Sequence, residues 1–111
     1  MTPKTLSDDL SVSPQITPSD VAEAKRLGFR SLIVNRPDGE GPGQPSFEAI
    51  RTAAAAEGLE ARYIPVSGSP GPDQVSAFAA ALDELPKPIL AFCKSGMRSA
   101  ALWQGVQQTR G

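Results

Sequence analysis

The sequence predicts a three-layer α/β fold built on a mainly parallel sheet of four to five strands, with helices on both faces. Short apolar runs alternate with segments of helical periodicity, and Pro and Gly residues separate them. Parallel strands need crossover connections, and the alternating helices would supply them. With 111 residues the chain has the length of one domain, and we expect a core over about residues 10–108.

The first half of the chain contains two predicted strands and two predicted helices. Each helix begins at a residue whose hydroxyl can cap it, Thr17 or Ser46, and each ends at a glycine. Pro18 suits the first helical position, where a missing N–H costs nothing. The strands are short apolar runs, over residues 10–12 and 31–35.

The second half repeats the pattern. Pro65 closes a third strand, and Pro72 opens a third helix whose apolar residues recur at helical spacing. The fourth strand leads directly to Cys93, and a last helix is predicted from Ser99 onward. The two strands cover residues 61–64 and 88–92.

The composition narrows the functional classes. The formal net charge of −1 provides no global basic field for nucleic acid or an anionic membrane. The absence of histidine excludes a Ser-His-Asp triad, a Cys-His pair and the usual His-built zinc sites, and we expect no metal or other cofactor. The polar N-terminus shows no secretory signal and no apolar run is long enough to span a membrane, so a cytoplasmic location is expected.

The segment Cys93–Arg98 is the candidate active-site loop. It joins a buried strand to a helix N-terminus, at the edge of a parallel sheet where sites lie. The unpaired N–H groups of the helix, the turn at Gly96 and the guanidinium of Arg98 can together bind an anion. The same positive field should lower the pKa of the thiol, so Cys93 and Arg98 are the predicted catalytic residues.

Six further residues are predicted to contact the substrate. Ser99 can cap the last helix or hydrogen-bond the thiolate. Arg36, in the loop after the second strand, can reach the substrate anion, pin the active loop through Asp38 or Glu40, or form a surface pair. The complete set is Lys94, Ser95, Gly96, Met97, Ser99 and Arg36.

Two resemblances follow from these residues. The segment Cys93–Ser99 is similar to the active-site loops of cysteine-dependent phosphatases and of rhodanese sulfurtransferases; its spacing of four residues between Cys and Arg matches the rhodanese loop and is one residue shorter than the phosphatase loop. Most of the chain, including 34–40 and 64–66, resembles the β-lactamase-hydrolase-like family (DUF442). That resemblance implies a dual-specificity-phosphatase-like fold. It also implies a link to sulfide oxidation, because longer relatives carry a fused persulfide dioxygenase.

The residues favour sulfur transfer over phosphate hydrolysis. The phosphatase resemblance implies an acidic residue after Pro65 and a His before the cysteine, but this chain has Ser67, Gly68 and Phe92 there, and Asp73 suits a helix first turn. Sulfane sulfur transfer through a Cys93 persulfide needs no proton donor. The alternatives are a phosphatase acting through a phosphocysteine and a non-catalytic sulfide-sensing or docking module.

The expected partners follow from these readings. We expect a small anionic or persulfide substrate and a thiol acceptor, with neither nucleic acid nor a membrane as partner. The sequence is compatible with a monomer and with a homodimer.

Overall fold

The computed structural model describes residues 1–110, which form one five-stranded sheet and four helices. The strands are β1 (Lys4–Ser7), β2 (Leu10–Ser13), β3 (Ser31–Val34), β4 (Glu60–Tyr63) and β5 (Ile89–Phe92). The helices are α1 (Asp20–Arg26), α2 (Phe47–Ala56), α3 (Pro72–Glu84) and α4 (Met97–Arg110).

The strands lie in the order β1-β2-β5-β3-β4, and all neighbours are parallel except β1, which runs antiparallel to β2. The predicted α/β class is therefore confirmed. The sequence analysis missed β1, because its short segment carries a single large apolar residue, Leu6, and resembles a polar terminus. The strand that leads to the candidate loop, β5, is the central one and is fully buried.

Two apolar clusters cover the two faces of the sheet. Strand residues such as Ile33 and Ala91 pack with Phe78 and Leu102, so α3 and α4 cover one face. Their neighbours in the strands point the other way and pack under α1 and α2. This arrangement is the predicted three-layer sandwich.

Several element boundaries differ from the prediction. The first helix begins at Asp20 because Ser19 occupies the N-cap position and the Asp20 carboxylate accepts from the N–H of Thr17, so Thr17 and Pro18 precede the helix. The last helix begins at Met97, two residues before Ser99, because the active loop turns directly into it. Ser46 caps α2 as predicted, by accepting from the N–H of Ala49.

The carboxyl ends of the parallel strands bring the candidate functional residues to one edge of the sheet. The N–H of Asn35, after β3, donates to the carbonyl of Phe92 in β5, and its carbonyl accepts from Val66 in the loop after β4. The N–H of Gln15, after β2, donates to the carbonyl of Lys94. These bonds tie three loops to the candidate active loop.

None of the helices within residues 1–110 has the length and apolar character needed to cross a bilayer.

Phe78 tests the core on the α3 side, since no part of its surface is exposed. We expect Phe78→Ala to lower the free energy of unfolding by about 3–5 kcal/mol, because it removes buried apolar area and leaves a cavity. Leu27→Ala is the control, since Leu27 is 56% exposed, and it should change stability by at most about 0.5 kcal/mol. Urea unfolding followed by far-ultraviolet circular dichroism measures both; equal losses would contradict this description of the core.

Candidate active site

Cys93 lies at the centre of the carboxyl edge, immediately after β5, and none of its surface is exposed. The N–H of Gly96 donates to its Sγ over 3.0 Å. Burial raises the pKa of the Cys93 thiol, but the backbone N–H groups of Ser99, Arg98, Gly96 and Ser95 outweigh burial and leave the pKa below its ordinary value. The thiolate is therefore the favoured form over a wider pH range than in a free cysteine.

The N-terminus of α4 explains why so many N–H groups converge on the sulfur. The first turn of a helix leaves N–H groups without intrahelical partners. Here the N–H of Met97 donates to Ser95 Oγ and that of Ala100 donates to the Gly96 carbonyl, while those of Arg98 and Ser99 stabilise the thiolate. The helix dipole adds to this stabilisation.

Gly96 is required by the path of the loop. Its φ is +95°, in the left-handed region that residues with a Cβ avoid, and a Cβ there would lie 3.3 Å from the carbonyl carbon and oxygen of Ser13. The end of β2 therefore supports the active loop from behind. Any larger residue at position 96 would strain the turn that aims its N–H at the sulfur.

Arg98 is held by a carboxylate from the loop after β3. Its Nη1 donates to Glu40 Oε2 and its Nη2 to Glu40 Oε1, each over 2.7 Å, and Nη1 also donates to the carbonyl of Val66 over 2.7 Å. Three of the five N–H groups of the guanidinium are thereby used. Within residues 1–110, the N–H of Nε and one N–H of Nη2 have no oxygen acceptor, and the guanidinium also hydrogen-bonds the Cys93 side chain. These two N–H groups form one edge beside the sulfur that can hold an oxyanion with paired hydrogen bonds.

The charges around Arg98 reinforce one another. Hydrogen bonds to Glu40 raise the pKa of Arg98, and the charge of the Cys93 thiolate adds to that rise. The hydrogen bond from Arg98 and, second in size, the one from Arg36 lower the pKa of Glu40 from its ordinary value of 4.5 to about 2. Glu40 therefore remains a carboxylate throughout the neutral range, and its ion pairs are lost only as the pH falls towards 2.

Arg36 pairs with Glu40, which is one of the roles proposed from the sequence. Its Nε donates to Glu40 Oε1 over 2.9 Å and its Nη1 to Gln15 Oε1 over 3.3 Å, and the residue is only 8% exposed. Gly41 passes so close that a Cβ there would lie 2.6 Å from Arg36 Nη2. The Arg36 guanidinium is thus enclosed by its own loop and acts on the site through Glu40.

The remainder of this loop is fixed by side chains that hold its backbone. Gln44 accepts from the N–H groups of Glu40 and Gly41 through Oε1 and donates to the carbonyl of Pro37 through Nε2. Asp38 accepts from the N–H of Phe47 at the start of α2. The loop that presents Glu40 to Arg98 is therefore held at several points.

Asn35 and Ser99 form a buried pair that the sequence analysis did not identify. The hydroxyl of Ser99 donates to Asn35 Oδ1, and Asn35 Nδ2 donates to the carbonyl of Ile64, each over 2.8 Å. The Ser99 hydroxyl therefore neither caps α4 nor donates to the thiolate; the backbone N–H of Ser99 serves the thiolate instead. The position of Asn35, a polar residue directly after a buried strand, could have identified it from the sequence as part of the site.

The other predicted contact residues surround the loop on its solvent side. Lys94, Ser95 and Met97 are exposed, Met97 by 76%, and Ser95 caps α4 through its hydroxyl. Their role in binding a substrate remains a prediction. Gly96 and Arg98 lie beside Cys93, as the sequence analysis expected.

The fold and the thiol-centred loop together define a cysteine-phosphatase-like protein. The chain belongs to the family described as "Beta-lactamase hydrolase-like protein, phosphatase-like domain", whose profile matches residues 3–110. It is 35% identical over 99 residues to the beta-lactamase hydrolase-like protein of Agrobacterium fabrum (strain C58), a match that covers 88% of this chain and 23% of that protein. The chain thus spans less than a quarter of the curated relative's length.

Solved structures support the same assignment. A candidate phosphatase from Neisseria meningitidis Z2491 superposes with a TM-score of 0.88 at 30% identity, covering 96% of this chain and 77% of that one. A DUF442 protein from Shewanella putrefaciens CN-32, also named as a candidate phosphatase, gives a TM-score of 0.82 at 22% identity, over 98% of this chain and 70% of that one. The expected resemblance to the β-lactamase-hydrolase-like family is confirmed.

Gly96→Ala tests the conformation of the loop. We expect it to lower the free energy of unfolding by about 1–2 kcal/mol, the cost of a left-handed residue with a Cβ. Because the strained N–H would shift from Sγ, the pKa of the Cys93 thiol should also rise, and less thiolate should form at a given pH. Thiolate ultraviolet absorbance, followed against pH, measures this.

Gly58→Ala is the matched control. Gly58 has φ +77°, a Cβ at this position would have no atom within 4 Å, and the residue ends α2 away from the thiol. It should show a similar loss of stability with an unchanged thiol pKa. A thiol pKa that is the same in wild type and in both variants would contradict the role assigned to Gly96.

Proposed function

We propose that this protein is a cysteine-dependent phosphatase that acts through a Cys93 phosphocysteine. The sequence analysis favoured sulfur transfer, but family membership and the phosphatase-like fold favour the phosphatase alternative. The observation that carries the proposal is the convergence of backbone N–H groups on the Cys93 sulfur beside a guanidinium with one open edge. This arrangement suits a phosphoryl group bonded to that sulfur.

The proposed reaction has two steps. In the first, a lone pair of the Cys93 thiolate attacks phosphorus, the bond from phosphorus to the leaving oxygen breaks, and the leaving group departs with that electron pair. In the second, water attacks phosphorus, the S–P bond breaks, and thiolate, phosphate and a proton are released. The loop N–H groups and the open edge of Arg98 would hold the phosphoryl oxygens through both steps.

Sulfur transfer is the second candidate, and two observations favour it. Four residues separate Cys93 from Arg98. Within residues 1–110, the groups that hydrogen-bond the Cys93 sulfur are backbone N–H groups and the Arg98 guanidinium, with no carboxyl group among them. A Cys93 persulfide is smaller than a phosphocysteine and forms by expelling a stable anion. The same thiolate and the same N–H groups would serve this reaction.

A paired assay separates the two activities. We expect the wild type to hydrolyse p-nitrophenyl phosphate and to gain one phosphoryl group when it is quenched during turnover, as measured by intact mass. Thiosulfate with cyanide, under identical conditions, should give little thiocyanate and no gain of one sulfur. Cys93→Ser should abolish turnover, because serine has no comparable thiolate to act as nucleophile.

The alternative outcomes are distinct. If thiocyanate forms, and if the protein gains one sulfur that is absent in Cys93→Ser, the phosphatase proposal is wrong and the protein is a sulfurtransferase. A lack of both activities and of both adducts would refute both enzymes and favour the non-catalytic sulfide-sensing or docking module.

Glu40→Gln tests whether this side chain positions Arg98. The amide is nearly the same size, but its NH2 group would face a guanidinium N–H, so at least one of the three bonds to the arginines is lost. We expect kcat/KM for p-nitrophenyl phosphate to fall by about 10- to 100-fold, the scale of effect that a misplaced binding group produces. Thermal unfolding should confirm that the variant is folded.

The matched control is Glu48→Gln, which removes a glutamate paired with Arg51 on the exposed side of α2. Exposed pairs of this kind contribute little, so kcat/KM should stay within about twofold of wild type. An equal loss in the two variants, or none in Glu40→Gln, would contradict a positioning role for Glu40.

A further inference from the structure

The carboxylate that contacts Arg98, that of Glu40, is unable to donate a proton. Both oxygens of Glu40 accept from guanidinium N–H groups, Oε1 from Arg36 and Arg98 and Oε2 from Arg98. A carboxyl group that accepts three N–H bonds from two cations is ionised, and protonating it would break this contact. Glu40 therefore orients Arg98 and supplies no acid to a departing oxygen.

Two further acids, Asp38 in the loop after β3 and Asp73 at the start of α3, make no contact with the thiol in the hydrogen bonds of residues 1–110. Asp38 accepts from the N–H of Phe47 at the start of α2, and its own N–H donates to the Tyr63 hydroxyl. Asp73 is exposed in the first turn of α3, a position where acidic residues commonly begin a helix. The loop before it, residues 67–71, contains no acidic residue.

Two further polar groups beside the thiol, Ser99 and Arg98, are also committed. The Ser99 hydroxyl donates its proton to Asn35, and the Arg98 guanidinium does not lose a proton in the accessible pH range. The chain has no histidine. Within residues 1–110, the site thus contains a nucleophile and an oxyanion binder, and no carboxyl or imidazole group contacts the thiol as a general acid.

We propose that the substrates of this site are phosphoryl compounds whose leaving group departs as a stable anion, namely phosphoanhydrides and activated aryl phosphates, and that alkyl phosphates are poor substrates. The inference rests on the proposed phosphatase function and specifies its substrate class. A phosphate leaving group has a conjugate acid with a pKa of about 6, and an alkoxide one of about 16, like that of water. Only the alkoxide requires a proton as the P–O bond breaks.

The atoms balance without an acid at the site. The Cys93 thiolate takes the phosphoryl group, and an anhydride releases phosphate or a phosphate monoester as the anion. Water then cleaves the S–P bond and gives its proton to solvent. The terminal phosphoryl group of an anhydride can bind the N–H groups of the active loop and the open edge of Arg98, as the phosphoryl group of an ester would.

A leaving-group series tests the proposal. The substrates are pyrophosphate, p-nitrophenyl phosphate, phenyl phosphate and an alkyl phosphate, compared by kcat/KM, which reports on the first phosphoryl transfer because that step expels the leaving group. We expect kcat/KM to fall by about 100-fold or more from p-nitrophenyl to phenyl phosphate, the range that a general acid would otherwise recover, and the alkyl ester to be slower still. No decline in kcat/KM should occur with rising pH through the neutral range.

Asp73→Asn is the matched control, because it removes the exposed acid in the first turn of α3, the helix that follows β4. It should leave both the leaving-group dependence and the pH profile unchanged. Alkyl and p-nitrophenyl phosphates turned over within about tenfold of each other would overturn the inference while the phosphatase stands. Alkyl turnover that Asp73→Asn abolishes would overturn it in the same way and identify the acid. No turnover of any phosphate would overturn both proposals.

Discussion

The arrangement of this site depends on keeping a buried thiolate charged. Transferring a charge from water into a protein interior is costly, and Cys93 has no exposed surface. The compensation comes from backbone N–H groups that have no intrahelical partner at the start of α4. The sharp turn at Gly96 aims one of them at the sulfur, and the turn fits because only a hydrogen atom faces the Ser13 carbonyl. Because β5 is the central strand, the residue that follows it is buried, and its negative charge depends on these N–H groups.

The charged residues that balance the thiolate include two from the loop after β3, Arg36 and Glu40. The Cys93 thiolate acts on Arg98, Arg98 pairs with Glu40, and Glu40 pairs with Arg36, so the positive and negative charges of these four residues balance when the sulfur is ionised. An entering oxyanion is therefore bound by oriented N–H groups more than by a net positive field. Arg98 keeps a fixed orientation because Glu40 and the Val66 carbonyl occupy its other N–H groups.

Local sequence patterns predicted the helices and strands, whereas the geometry of the site depends on hydrogen bonds between residues that are far apart in the sequence. The apolar run of β5, the cap at Ser46 and the proline that opens α3 are legible because their causes lie within a few neighbouring residues. The pairs Arg98–Glu40 and Ser99–Asn35 join residues 58 and 64 positions apart, and they meet because β3 lies next to β5. No local pattern specifies that adjacency, so the sequence offered Glu40 only as one possible partner of Arg36.

The same geometry also explains why sulfur transfer and phosphate hydrolysis were hard to separate from the sequence. Both begin with a thiolate whose charge is stabilised by amides, and both deliver an adduct to the same N–H groups. They differ in the group expelled, since a thiolate or sulfite leaves without a proton whereas an alkoxide does not. With Glu40 committed to two arginines, this site suits a leaving group that is already a stable anion. A phosphoanhydride meets that condition as well as a persulfide does, so the missing acid restricts the substrate without excluding phosphoryl transfer.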